Sequence, residues 1–199
     1  MTAATATDRA ARIVTEVSTP AVSVFAVAIL CGIQSTGGWD GAAWGAVLGI
    51  FCAVIPYVTL EIAARRGRIT DRHVTKRGQR PWAYAMCLAS VAAGIVTMLV
   101  LGAPILIQWA LGTMVAALVI SAAVTALGPK VSMHAMCLTA FFVLAALFTT
   151  LWWLAGLAIL LPVVVWSRLR LEHHSPVEAV LGTIIGAAVT VVSWFFAPV

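Results

Sequence analysis

The chain has 199 residues, of which 62% are hydrophobic and 10% are charged, and its formal net charge is +5. A soluble domain carries about a quarter of its residues as charged side chains, so this composition excludes a globule covered by polar surface. Several apolar stretches approach the roughly 20 residues that a helix needs to cross a bilayer. The alternating pattern of a membrane β-barrel is absent. The sequence therefore predicts an all-α, polytopic transmembrane helix bundle, in which each span satisfies its own backbone hydrogen bonds.

The N-terminal segment, residues 1–19, is short and polar, with Arg9 and Arg12 among Ala and Thr. It lacks the charged start, short apolar run and cleavage site of a secretory signal in that order. We interpret it as a leader on the cytoplasmic side, lying near the membrane surface. No linker or shift in composition follows, so residues 20–199 are predicted to form a single transmembrane domain.

Hydropathy predicts seven spans, with six as the alternative because the fifth and sixth are short and tightly joined. The predicted spans are residues 20–36, 41–63, 82–101, 104–127, 133–149, 151–167 and 176–196.

The basic residues are grouped on one side of these spans. All 12 Lys and Arg residues lie in the leader, in the 64–80 segment, at Lys130, and at Arg168 and Arg170. With seven spans, these four places share one membrane face, and the opposite connections contain no Lys or Arg. The positive-inside rule predicts that this face is cytoplasmic. We expect the membrane to be a cell membrane of the bacterial type.

The first polar cluster, residues 65–80, holds seven Lys and Arg residues. Beside a membrane, such residues attract anionic lipid headgroups at about 1 kcal/mol each. Arg80 differs from the others because it lies where the chain re-enters the bilayer. If the segment is helical, His73, Lys76, Arg77 and Arg80 share one face, and such a face is suited to binding phosphate.

The second cluster joins two spans. Gly128 and Pro129 close one span, and Ser132 is predicted to be the N-cap of the next helix. The positive end of that helix dipole favours an anion. His134 lies in the first turn, where it is either a satisfied core residue or a catalytic one.

The third cluster leads into the last span. Ser175 and Pro176 are typical of an N-cap and a first helical residue. If the helix continues, Glu178 lies one turn beyond His174 and accepts the proton of its Nδ1 atom, which leaves the other ring nitrogen free to attack. The helical register directs His173 elsewhere, so we interpret His173 as a bystander.

The four cysteines all lie in apolar runs and form no CxxC pair or Cys/His cluster. The seven carboxylates are scattered, without a pair spaced to bind Mg²⁺. We therefore expect no metal, no other cofactor and no nucleic-acid partner.

Taken in chain order, the clusters form a three-part pattern. The last part is Ser167-Arg168, five residues, His174, three residues and Glu178, and it is preceded by residues 80–81 and 131–134. This order resembles the signature of the type 2 phosphatidic acid phosphatase family, K-x6-R-P, then P-S-G-H, then S-R-x5-H-x3-D. The resemblance covers about residues 70 to 185.

The chain departs from this signature at three positions. Glu178 replaces the Asp, Met133 replaces the Gly, and His73 occupies the position of the Lys. Lys76 and Arg72 are the alternatives for supplying the missing charge.

The resemblance implies a metal-independent lipid phosphatase with a phosphohistidine intermediate. It implies that His174 is the nucleophile, that Glu178 orients it, and that His134 protonates the leaving oxygen. The residues implied to bind phosphate oxygens are Arg80, Arg168 and Ser132, together with His73 or Lys76.

A site at the membrane edge, without a soluble domain, predicts a lipid substrate, which is a glycerolipid, prenyl or polyprenyl phosphate or diphosphate. A site on the cytoplasmic face favours a biosynthetic intermediate as the substrate over a carrier that is recycled on the outer face. The alternatives are a transporter of lipids or anions that retains a degenerate anion site, and a structural membrane subunit.

Overall fold

The computed structural model describes residues 5–199, and every regular element in that range is helical. This confirms the all-α fold class. The nine α-helices are α1 Ala6–Val17, α2 Pro20–Thr36, α3 Gly38–Gly49, α4 Ile55–Arg65, α5 Arg80–Val100, α6 Ile105–Leu127, α7 Met133–Phe148, α8 Trp152–Arg170 and α9 Pro176–Trp194.

Each of the seven predicted spans coincides with a helical segment. Six helical stretches are long and apolar enough to cross a membrane, and together they identify an integral membrane protein. The seventh, α7, has 16 residues, which corresponds to about 24 Å against a hydrocarbon core of ~30 Å. Because α7 is short and has ten buried residues, its contacts are mainly with the other helices.

The second span is one continuous helical stretch, Gly38–Arg65, that contains a π-helical turn. Helices α3 and α4 are joined by this turn, Ile50–Val54, and Pro56 follows in the first turn of α4. Proline has no N–H, so the i→i−5 pattern leaves the carbonyl of Phe51 without its backbone donor. Ser90 of α5 donates its hydroxyl to that carbonyl at 2.6 Å, which satisfies it within the membrane.

Close contact between α7 and α9 brings two helix starts together. Gly182 and Gly186 face the backbone carbonyls of Ser132 and Met136, and a Cβ atom at either glycine would overlap these carbonyls. Small residues spaced four apart permit this approach of membrane helices. The contact places the N-terminus of α7 beside the first turns of α9.

Much of the predicted polar leader forms helix α1, and its residues 1–4 lie outside the described range. The helix begins with a capping box between Thr5 and Asp8. Ala11 and Thr15 are buried, and the Thr15 hydroxyl lies 3.2 Å from the hydroxyl of Ser167 on α8. The leader therefore packs against the bundle through specific contacts.

Candidate functional site

A cavity of about 240 Å³ lies between α2, α4, α5, α6, α7, α8 and α9. Apolar side chains line most of it. The exceptions at one end are Arg72, His73, Arg80, His134, Arg168 and His174. Of the eight predicted site residues, the structure therefore brings five to a single cavity wall.

Arg168, in the last turn of α8, is a buried cation without a partner. The side chain is 1% exposed, and its Nε and Nη1 atoms form no hydrogen bond. Among residues 5–199, no carboxylate lies within 4.0 Å of its guanidinium. A buried charge without a partner is costly, and here the free donors belong to a residue that lines the cavity. An anionic ligand would satisfy them.

Arg80, at the start of α5, is also buried, but most of its guanidinium is occupied. Its Nε atom donates to the carbonyl of Val74 at 3.2 Å, and Nη1 donates to the carbonyl of Val131 at 2.9 Å. Val74 has a φ of 49°, an uncommon conformation for a β-branched residue. Arg80 therefore fixes the chain before α5 against the chain before α7.

His174 and Glu178 have the predicted contact, with Nδ1 of the ring 2.9 Å from the Glu178 Oε2 atom. A carboxylate only accepts, so Nδ1 carries the proton and the lone pair lies on Nε2. Ser175 is the N-cap of α9 and forms a capping box with Glu178, which confirms the predicted helix start. Burial lowers the pKa of His174 to about 2, with further contributions from Arg80 and Arg168, so the ring is neutral at pH 7.

Ser132 is the N-cap of α7, as predicted, but its hydroxyl does not cap the helix. The side chain is fully buried, its Oγ atom has no partner, and it lies outside the cavity lining. Its backbone N–H donates to the carbonyl of Glu178 at 3.1 Å. His134, in the first turn of α7, is 3% exposed with an unpartnered Nε2 atom.

The segment between α4 and α5 is not the helix on which the predicted basic face depends. Turns and bends occupy it, apart from a short 3₁₀ turn at Arg77–Gln79. His73 lines the cavity, with its ring 5.3 Å from that of His134. Lys76 is exposed and does not reach the cavity, so the structure does not place these two residues on one face.

His73 also contacts the N-terminal helix. Its Nε2 atom lies 3.3 Å from Oε1 of Glu16. Burial lowers the pKa of His73, and Arg168 lowers it further, while Glu16 opposes the shift.

Lys130 does not line the cavity, but it contacts the segments around it, and the sequence pattern did not single it out as a site residue. Its Nζ atom donates to the carbonyls of Thr75 and His173, both at 3.3 Å. The same atom lies 3.8 Å from the Glu178 Oε2 atom. One ammonium thus connects the segment before α5 to the segment that carries His174.

His173, interpreted from the sequence as a bystander, lies beside the site but does not line the cavity. Its ring centroid is 6.0 Å from that of His73, and its Nδ1 atom is buried without a partner. Burial, Arg168 and His73 lower its pKa to about 4. Helix α8 ends at Arg170, and His173 lies in a bend beyond it, outside the cavity lining.

Arg72 closes the cavity on the side of α1 and α4. Its Nη1 atom donates to Oε2 of Glu61 at 2.9 Å, and its Nη2 atom pairs with Glu16. The guanidinium carbon lies 5.8 Å from the ring centre of Tyr57. Hydrogen bonding to Glu61 raises the pKa of Arg72. Because both carboxylates already neutralise it, Arg72 is less available to a ligand than Arg168.

Within residues 5–199, no three His, Cys, Asp or Glu side chains are arranged to hold a metal ion. The site instead combines buried guanidinium donors with a neutral histidine oriented by a carboxylate. Such a set is suited to binding an oxyanion and attacking it. No protein-family model, curated protein or solved structure matches this chain.

Proposed function

We propose that this protein is a membrane phosphatase that hydrolyses a lipid phosphate or diphosphate through a phosphohistidine intermediate, without a metal ion. One observation carries the proposal. The unpartnered donors of Arg168 and the His174–Glu178 pair adjoin one end of an otherwise apolar cavity. The resemblance to type 2 phosphatidic acid phosphatases supports the same chemistry.

In the first step, Nε2 of His174 attacks phosphorus in line with the leaving oxygen. The P–N bond forms as the P–O bond breaks, and Arg168 stabilises the charge on the equatorial oxygens. His134 gives its proton to the leaving oxygen. A bound phosphate favours the protonated form of His134 because of its negative charge. Glu178 stabilises the positive charge that develops on the His174 ring.

In the second step, water attacks the phosphohistidine. His134, now neutral, takes a proton from the water as the new P–O bond forms. The P–N bond breaks, and inorganic phosphate is released with His174 again neutral. Two steps at one phosphorus return both histidines to their starting protonation states.

The cavity supports a lipid substrate because apolar side chains continue directly from the polar end. Glycerolipid, prenyl and polyprenyl phosphates share this combination of an anionic head and a hydrocarbon tail. The grouping of Lys and Arg at the site's end of the bundle favours a cytoplasmic active site, and therefore a biosynthetic intermediate as substrate. The exposed arginines of residues 65–68 are placed to attract anionic headgroups there.

The test is phosphate release by the detergent-purified protein from phosphatidate, phosphatidylglycerol phosphate and prenyl phosphates, with a chelator present. We expect release that is lost in His174→Ala and retained in His173→Ala. The second variant is a matched control because it removes the neighbouring imidazole and leaves the His174–Glu178 pair intact.

Acid quenching during turnover should trap phosphate on the wild-type protein and none on His174→Ala. If wild type and His174→Ala are equally inactive on all these lipids, the phosphatase proposal fails. Binding or transport of the same lipids would then be the function to measure.

A further inference from the structure

The proposed function leaves open what occupies the apolar part of the cavity. We propose that it holds the hydrocarbon tail of a single-chain phosphate amphiphile, with the head at the polar end and the tail between the helices. This inference rests on the proposed function for the phosphate head of the substrate, but it concerns the apolar part of the cavity, where the tail would bind.

The cavity extends far from the phosphate end. On α7 alone, the lining runs from His134 to Leu144, ten residues that correspond to about 15 Å along the axis. This is about half of the ~30 Å hydrocarbon core. Trp109, from the opposite end of α6, and Thr190 of α9 also line it. A phosphate ion alone would leave this depth unoccupied.

The cavity is also narrow. Seven helices contribute to its lining, and its volume is about 240 Å³, below the ~300–1,000 Å³ typical of drug-sized ligand pockets. A slot of this depth and volume accommodates one extended chain rather than two side by side. At roughly 1.3 Å per carbon along an extended chain with C–C bonds of ~1.5 Å, about 12 carbons reach Leu144.

Charge complementarity fixes the orientation of the occupant. The free donors of Arg168 lie at one end, and the rest of the lining is almost entirely apolar. An amphiphile with one anionic head and one apolar tail satisfies both parts. Small side chains such as Ala110 and Ala117 on α6 leave space for the tail.

The test shortens the slot at Ala117, which lines the cavity, and uses its neighbour Ala116 as the matched control. Ala116 is exposed on the outer side of α6 and does not line the cavity. We compare Ala117→Trp with Ala116→Trp, measuring hydrolysis of octyl phosphate and hexadecyl phosphate in the same mixed micelles.

We expect Ala117→Trp to lower kcat/KM for hexadecyl phosphate by about tenfold relative to octyl phosphate, since the added ring overpacks the occupied slot. Ala116→Trp should leave the ratio of the two substrates unchanged. In wild type, lysophosphatidate should be hydrolysed faster than phosphatidate, which carries a second chain.

If Ala117→Trp and Ala116→Trp give the same chain-length ratio, the tail lies elsewhere and the inference is overturned while the phosphatase stands. Equal hydrolysis of phosphatidate and lysophosphatidate would overturn the restriction to one chain.

A binding measurement separates this inference from the proposed function. Hexadecylphosphonate, which cannot be hydrolysed, should raise the unfolding temperature of wild type and Ala116→Trp, but not of Ala117→Trp. This outcome supports the slot even if no phosphatase activity is found. Equal stabilisation of all three proteins would count against it.

Discussion

Arg80 and Arg168 both lie buried at the polar end of the cavity, but their guanidinium groups have different surroundings. Arg80 donates to the carbonyls of Val74 and Val131, so it connects two segments of chain. The Nε and Nη1 atoms of Arg168 have no partner. The difference teaches that two buried arginines of one site can have different roles. We expect Arg80 to stabilise the fold and Arg168 to bind the ligand.

The largest effect is expected from Arg168→Met. Phosphate release should fall by about 10³-fold, because a donor to the transition-state oxyanion is lost. The unfolding temperature should stay the same or rise, since the variant removes a buried charge without a partner. Arg80→Met should instead lower the unfolding temperature by roughly 5 °C, because two buried carbonyls lose charged donors.

Both variants are compared with wild type by thermal unfolding in detergent and by phosphate release. A loss of stability in Arg168→Met as large as that in Arg80→Met would remove the distinction between the two arginines.

Glu178→Gln tests whether the His174–Glu178 pair acts on the ligand, as we expect of Arg168, or only stabilises the fold, as we expect of Arg80. The amide keeps the size of the side chain but cannot stabilise the imidazolium, so we expect kcat to fall by about 10²-fold or more. Glu178→Asp keeps the carboxylate and should retain most of the activity. Equal activity of Glu178→Gln and wild type would show that Glu178 only caps α9.

Lys130→Met tests a residue that we expect to be intermediate between Arg80 and Arg168. Lys130 connects two segments of chain, as Arg80 does, and it also places a positive charge near Glu178. We expect kcat/KM to fall by about tenfold, because two carbonyl contacts of the ammonium are lost. Lys130→Arg should recover part of it. Lys76→Met, at an exposed lysine of the same face, is the matched control and should behave as wild type. A similar loss in Lys76→Met would point to general surface charge instead.

The smallest effect is a dependence of stability on pH. Burial lowers the pKa values of His73, His173 and His174, and Arg168 contributes to all three shifts. Below the unfolded-state pKa of about 6.5, the unfolded chain binds more protons than the folded one, so stability falls as the pH is lowered. For His173 this loss continues to about pH 4.

We expect the unfolding temperature to fall by a few degrees between pH 7 and pH 5, and to fall less in Arg168→Met. Thermal unfolding of both proteins across this range measures the difference. An identical slope would mean that Arg168 does not act on these histidines.

Most of the fold was predictable because each membrane span is a continuous run of apolar residues that can be recognised from the sequence. The predicted span 20–36 has the same limits as α2. The π-helical turn at Ile50–Val54 was not predicted, because it depends on Pro56 together with a hydroxyl from Ser90 on another helix.

The site was predictable where its contacts are local. His174 and Glu178 are four residues apart, so helical geometry alone brought them together. Lys130 and His173 are 43 positions apart in the chain. A short sequence pattern cannot predict a contact between residues so far apart. Lys76 was grouped with His73 by a helical spacing that the irregular segment does not have.

Helix α1 belongs to the same assembly as the candidate site, through Thr15 beside Ser167 and Glu16 beside Arg72 and His73. This matters for how the protein is produced. An affinity tag placed directly before α1, or a truncation that removes it, would disturb these contacts with Arg72, His73 and Ser167 and should lower any activity that is measured. The C-terminal residues, 195–199, follow α9 at the opposite end of the bundle, so a tag is better attached there.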